Sequence, residues 1–241
     1  MPSKLIQLKS DLQSAAVPGK AKLLSRFFKT GKGEYGEGDV FLGVMVPEQR
    51  KFAKKYPNLS LEEIQSLLSS KVHEHRLTAL FILVSKFKKA DENEKKEIFN
   101  FYLENAKRVN NWDLVDLSAP NIPGNFLLEK SKKEKAVLFR LAKSKNLWEK
   151  RIAVLSTFSF IREKRFDESL SIAELLLEDK HDLIHKAVGW MLREIGKRAL
   201  AAEERFLKKH AVKMPRTMLR YAIEKFPEKK RKAYLGKTTG R

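Results

Sequence analysis

Apolar positions along the chain recur every three to four residues from end to end, and no stretch alternates with period two, so the pattern predicts helices throughout. Leu5, Leu8, Leu12 and Ala15 mark a first amphipathic stripe, and Leu23, Leu24, Phe27 and Phe28 a second. The run from Thr30 to Asp39 carries four glycines and breaks the pattern, which predicts a loop or a short hairpin and most simply a flexible connection. Helices resume at Pro47, a residue suited to a first turn. Four cap signals, Ser60 with Glu63, Asp91 with Glu94, Ser131 with Glu134 and Asn146 with Glu149, fix later helix starts. Pro120, Pro123 and Gly124 interrupt the middle of the chain, and Pro215 is expected to open the last helix.

Within this pattern one segment repeats. Arg76–Leu80, Asp113–Leu117, Arg151–Leu155, Lys186–Trp190 and Arg220–Glu224 can be laid over one another at intervals of 37, 38, 35 and 34 residues. A period of this size with two helices per unit predicts an all-α architecture, an α-solenoid of HEAT-like repeats, right-handed, with about six helix pairs. The whole chain, 1–241, is expected to form one such domain, curved, with the second helices of the pairs lining a basic concave groove.

The repeat gives meaning to Asn111-Trp112-Asp113-Leu114-Val115-Asp116. At the start of a helix, Trp112 and Asp116 lie one turn apart on a single face. By repeat register, Arg151 and Trp190 fall on the equivalent faces of following second helices, so all four residues are expected to share one wall. A plain packing role is the alternative for each tryptophan. Asp113 and Asp116 would also favour the positive end of their helix without any further task.

Composition sharpens the picture. The 241 residues hold 50 lysines and arginines against 30 acids, a formal charge of +20, which points to a polyanionic partner and first of all to nucleic acid. No apolar run is long enough to span a membrane, and no membrane anchor is legible. Without cysteine there is no thiolate metal site, and His181 with His185 lacks a third ligand, so neither metal nor cofactor is expected. The absence of a legible signal peptide points to the cytoplasm. Gly31, Gly33 and Gly36 match G-x-G-x-x-G formally, but helix precedes them and more glycine follows, which rules out a dinucleotide fold. The alternative to a flexible connection for that loop is a basic and aromatic finger, Lys32 with Tyr35, that touches DNA. Lys229, Lys230 and Arg231, with Lys232, Lys237 and Arg241, belong to a basic tail over about 228–241, expected to be mobile and to add sequence-independent phosphate contacts.

Taken together, Asn111–Asp116, Asn146–Arg151 and Lys186–Glu194, with Phe41-Leu42-Gly43-Val44 leading into Pro47-Glu48, resemble the signature segments of the AlkD-like DNA alkylation repair glycosylases. The similarity runs over nearly the whole chain, with the motifs in order and similarly spaced. The resemblance implies a curved stack of HEAT-like repeats that holds duplex DNA, as a monomer associated with the nucleoid, and excises N3- and N7-alkylated purines such as 3-methyladenine and 7-methylguanine. Carried over by position, it implies Asp116, Trp112 and Trp190 around the lesion's deoxyribose and Arg151 close by; a guanidinium fork there is expected to hold a phosphate bidentately, the alternative being a pair with Asp116 when DNA is absent. Two departures stand out: Asn111 occupies a place where the family often has tryptophan, and the stretch 30–39 reads as an insertion. Some members bind DNA without excising bases, so a non-catalytic protein for damaged or branched DNA is the alternative function. A protein–protein scaffold ranks third.

Overall fold

The computed structural model describes residues 3–236, which are helical throughout apart from connections. Among the described residues there is no strand, and the one extended pairing is an isolated bridge between Val40 and Val72. Two compact units divide after Ser118. The first carries α1 (Lys4–Ser14), α2 (Pro18–Phe27), α3 (Val46–Lys55), α4 (Leu61–Leu68), α5 (His73–Lys89), α6 (Glu92–Glu104) and α7 (Trp112–Ser118). The second opens with a π-helical turn, Pro120–Gly124, that runs into the single turn α8 (Asn125–Leu127). It continues with α9 (Lys132–Ala142), α10 (Leu147–Arg162), α11 (Asp167–Leu175), α12 (Asp182–Gly196), α13 (Leu200–His210), α14 (Arg216–Ala222) and α15 (Glu228–Gly236).

Helix starts follow the caps. Ser60, Asp91 and Ser131 each form a full capping box with the glutamate three residues on, and each such cap stabilises its helix by about 1 kcal/mol. Asn146 caps α10, but Glu149 turns away to accept a hydrogen bond from Ser144. The fourth signal is therefore a cap without the reciprocal contact.

The five similar segments fall in α5, α7, α10, α12 and α14, the last running into a 3₁₀ turn. In the first unit α5 packs between α3 and α7, and in the second α12 packs between α10 and α14. The helices α4, α9 and α11 lie against α5, α10 and α12, which is the layered arrangement of a helical repeat. Enclosure shows in α5 and α10, which are buried on all sides through their middle turns: residues 76–84 and 151–157 are buried without interruption. Gly189 lets α14 approach α12, since a Cβ there would stand 2.4 Å from the Met218 carbonyl and 2.5 Å from Tyr221 Cβ.

Three expectations change. Helix α2 buries none of its residues, and Leu23 and Phe27 are 65% and 62% exposed; of the expected stripe, Phe28, just past the helix end, is the buried member. Pro215 does cap α14, but α14 is followed by α15, so the described part of the expected tail is helix. Glu204 and the Phe226 ring hold Lys230, while Tyr234 packs on Phe226, and these contacts give the basic run something to fold on. Lys237 and Arg241 lie outside the described residues.

In the second unit Glu203 is buried, with one carboxylate oxygen lacking any hydrogen-bond partner. Burial, and then the neighbouring Glu204 charge, push its carboxyl up to about 8. An unfolded glutamate ionises near 4.5, so between that pH and about 8 the unfolded chain releases a proton that the folded one retains. Stability is thus expected to fall as pH rises through this window, by a total on the order of 5 kcal/mol, and to level off above it. Glu203→Gln should remove most of the fall. Urea melts at pH 5 and pH 8.5 check this, and parallel losses in wild type and variant would show that the carboxyl ionises at no cost.

Candidate functional site

Helix α7 is built from Asn111 outward. Buried Asn111 accepts the Trp112 backbone N–H at 2.8 Å, and Asp113 accepts that of Leu114 at 2.9 Å, so two side chains cap the first turn. Leu114, Val115 and Ser118 face inward, and Ser118 meets the buried Tyr102 hydroxyl at 2.8 Å. That leaves Trp112 and Asp116 half-buried, one turn apart on the other face. Burial, and also the charge of Asp116, push the Tyr102 phenol well above its usual range.

Trp112 is seated on a layered mount. Its ring stacks on Phe28 at 5.2 Å and meets the edge of exposed Phe27 at 5.8 Å. Phe28 in turn stacks on Phe41 at 5.2 Å, and Phe41 on His73 at 4.6 Å. His73 is 2% exposed. Its Nε2 lies 2.8 Å from Asp113 and its Nδ1 3.3 Å from Asp39, while Arg76 holds Asp39 at 2.6 Å. A ring facing carboxylates at both nitrogens donates from both, which is the imidazolium form. Burial opposes that charge, but the bonds to Asp113 and Asp39 outweigh it and raise the His73 pKa. Asp39 responds in the opposite sense: burial works to raise its pKa, but His73 and Arg76 pull it below the usual carboxylate range.

The neighbouring residue, Glu74, fixes the segment that supplies Phe41. Its buried carboxylate accepts backbone N–H groups from Leu42 at 3.0 Å, Gly43 at 2.8 Å and Val44 at 3.3 Å. Gly43 has φ +85°, and a Cβ there would stand 2.2 Å from the Val17 carbonyl, so glycine is required on both counts. The stretch 30–39 is neither a hairpin nor an open connection. Glu34 and Glu37 accept the Gly31 and Gly33 amides at 2.7 and 2.8 Å, and Gly36 bonds back to the Lys29 carbonyl at 3.0 Å. Lys32 is exposed on this ordered loop and Tyr35 is half-buried.

In the second unit, Trp190 is half-buried on α12 and donates its indole N–H to Glu194 at 3.3 Å. Its ring lies 5.9 Å from Phe158 of α10. Arg151 is 5% exposed and donates to the Leu183 carbonyl at 2.6 Å, tying α10 to the start of α12. Structural work thus occupies at least part of a guanidinium expected to serve a phosphate. Trp148 is buried, as a packing residue should be. His181 caps α12 through Nδ1, and His185 bonds to the Asp179 carbonyl. Lys229 and Arg231 are exposed on α15.

Sequence reasoning placed Trp112 and Asp116 on one face of α7 but missed the mount of Phe28, Phe41, Asp39, His73, Arg76 and Asp113. The available signal was His73-Glu74-His75-Arg76 directly before eight core positions, because polar groups entering a core need partners.

No helix among the described residues is long and apolar enough to cross a membrane. Among curated proteins none matches the chain. Similar solved structures include a predicted DNA alkylation repair enzyme from Enterococcus faecalis, 17% identical, with a TM-score of 0.71 over 88% of this chain and 97% of that one. AlkD2 from Streptococcus mutans is 19% identical, with a TM-score of 0.56 over 86% of this chain and 97% of that one. At these identities the likeness speaks for the fold, an AlkD-type helical repeat. The family evidence comes from the sequence itself: the model for DNA alkylation repair enzymes matches residues 8–226. With that match over most of its length, the chain belongs to the DNA alkylation repair enzyme family.

Proposed function

We propose that the chain is an alkylpurine DNA N-glycosylase, which hydrolyses the N-glycosidic bond of N3- and N7-alkylated purines in duplex DNA. The observation that carries this reading is the α7 face, where a carboxylate and an indole stand one turn apart and the indole is stacked against Phe28. Alkylation at N3 or N7 makes the purine cationic, so the base departs neutral with the bonding electron pair and needs no general acid. The developing charge then lies on the sugar. Asp116 stabilises that oxocarbenium-like centre and orients the water whose oxygen bonds to C1′ as the base leaves and which then gives up one proton to solvent, leaving a C1′ hydroxyl. The Trp112 face adds quadrupole attraction to that cation, on the order of 1 kcal/mol, and Trp190 is the second indole proposed for the lesion's deoxyribose.

In this reading Arg151 acts by fixing the α10–α12 spacing on which Trp190 depends. Lys32, Tyr35, Lys229, Lys230 and Arg231 supply contacts along the DNA backbone. The protein works as a monomer, in the cytoplasm on nucleoid DNA, without metal or cofactor. Single-turnover release of 7-methylguanine from a methylated duplex tests the proposal. Tight binding with no release would overturn it in favour of a non-catalytic DNA-binding protein.

A further inference from the structure

Helices α10 and α12 run side by side in a constant register. Arg151 bonds to the Leu183 carbonyl and Phe158 packs on Trp190, each pair being 32 residues apart. On α10 itself Arg151, Phe158 and Arg162 lie at offsets of seven and eleven residues, which places them in one line along a single helical face. At the buried end of this line Arg151 is held by backbone. At the other end the Arg162 guanidinium sits 4.3 Å over the Phe158 ring and is exposed to solvent.

Arg162 differs from the other cations around that ring. Arg198, 5.9 Å from the Phe158 centroid, is bonded at 2.9 Å to the Glu194 carboxylate, and Lys197 reaches the same carboxylate at 2.6 Å. Glu194 also accepts the Trp190 indole. Its acceptor capacity is therefore shared among three donors. Among the described residues Arg162 has no hydrogen-bond or ion-pair partner, and its one described contact is the ring face. Stacking leaves the edge donors of a guanidinium pointing outward, and a planar fork held in place loses little freedom when it engages an anion.

We infer that Arg162, mounted on Phe158 beside Trp190, is a phosphate-binding residue of this protein, and that its ligand is a backbone phosphodiester of the DNA strand whose sugar faces Trp190. The inference rests on the proposed glycosylase reading. A phosphodiester offers the two oxygens that the fork takes bidentately, and in DNA it lies next to a deoxyribose, the group assigned to the Trp190 face. The phosphate role expected of Arg151 falls instead to an arginine three turns further along the same line. Arg162 contributes affinity for the strand and takes no part in orienting the reacting atoms or in bond cleavage.

The test is a titration of fluorescein-labelled duplex carrying 7-methylguanine with wild type, Arg162→Ala, Arg162→Lys and, as a control, Lys209→Ala on α13, whose lysine is paired with Glu174, at several salt concentrations. Arg162→Ala should weaken binding roughly tenfold and lower the slope of log affinity against log salt by about one. Arg162→Lys should restore the slope but only part of the affinity, because a point charge replaces the stacked fork. Lys209→Ala should change neither quantity. At saturating protein the single-turnover excision rate of Arg162→Ala should match wild type. An unchanged slope in Arg162→Ala, or a rate loss at saturation without a binding loss, would overturn the assignment. If wild type bound and excised while Arg162→Ala behaved identically, this inference alone would fail. If wild type did not excise, the failure would lie with the glycosylase reading, and the salt slopes would still decide the phosphate contact. Arg162 is exposed, so melting curves of both variants should overlay wild type; the lysine variant keeps the test interpretable if alanine disturbs the end of α10.

Discussion

On the proposed glycosylase reading, Asp116→Asn should lower single-turnover release of 7-methylguanine by about 10²- to 10³-fold, the usual consequence of removing a preorganised electrostatic contact from a site where charge develops. The amide keeps the shape of the side chain and much of its hydrogen bonding, so loss of charge is the variable. DNA affinity should stay level or rise slightly, since the variant removes a negative charge from a surface that meets phosphate. That opposition of a large rate loss and an unimpaired affinity separates an electrostatic role from a folding defect. Asp116 is half-buried near the end of a short helix whose inner face is held by Leu114, Val115 and the Ser118–Tyr102 bond, side chains that the variant keeps. Equal release by wild type and variant would move the catalytic role elsewhere in the site.

The parts of this molecule that sequence made legible are those governed by local rules. Repeat spacing found the five helices α5, α7, α10, α12 and α14, because each must bury a similar face against its neighbours. Capping boxes found three helix starts, because both partners lie within four residues. The Trp112–Asp116 face followed from helical geometry alone. What sequence did not disclose depends on contacts across many residues. His73 meets Asp113 over forty positions and Asp39 over thirty-four, and no spacing rule links them. Arg151 looked available because register assigns a face without saying how deep that face lies, and at the Leu183 end of the α10–α12 contact it lies deep. The stretch 30–39 looked flexible by composition, but Glu34 and Glu37 close its turns on glycine amides. Glycine permits those turns, and the glutamates select them.

Glu74 is the residue on which this last kind of long-range order depends most, and Glu74→Ala should destabilise the first unit by about 4 kcal/mol. The carboxylate is 1% exposed and accepts three consecutive backbone N–H groups, at Leu42, Gly43 and Val44. A hydrogen bond to a charged group contributes roughly 1.5 to 3 kcal/mol, and an orphaned buried donor costs a further 1 to 3 kcal/mol, though such terms do not add fully. Replacement by alanine removes the acceptor and leaves the Gly43 and Val44 amides in a buried position with no substitute. Glu74→Gln should be damaging as well, because its amide nitrogen presents a donor to donors. Total stabilities of single domains are about 5 to 15 kcal/mol, so a loss of this size brings the unit close to its unfolding threshold. The functional consequence follows from position: residues 39–44 supply Asp39 and Phe41 to the mount beneath Trp112, and a loosened segment releases the indole from its stack. Urea melts should show a large fall in midpoint for Glu74→Ala, while Glu63→Ala, which removes one arm of an exposed capping box, should lose only about 1 kcal/mol. Excision by Glu74→Ala at low temperature should fall with the order of the Trp112 indole, read by tryptophan fluorescence. A variant that melts with wild type and keeps its fluorescence would show that the 42–44 amides find other partners and that the mount stands without Glu74.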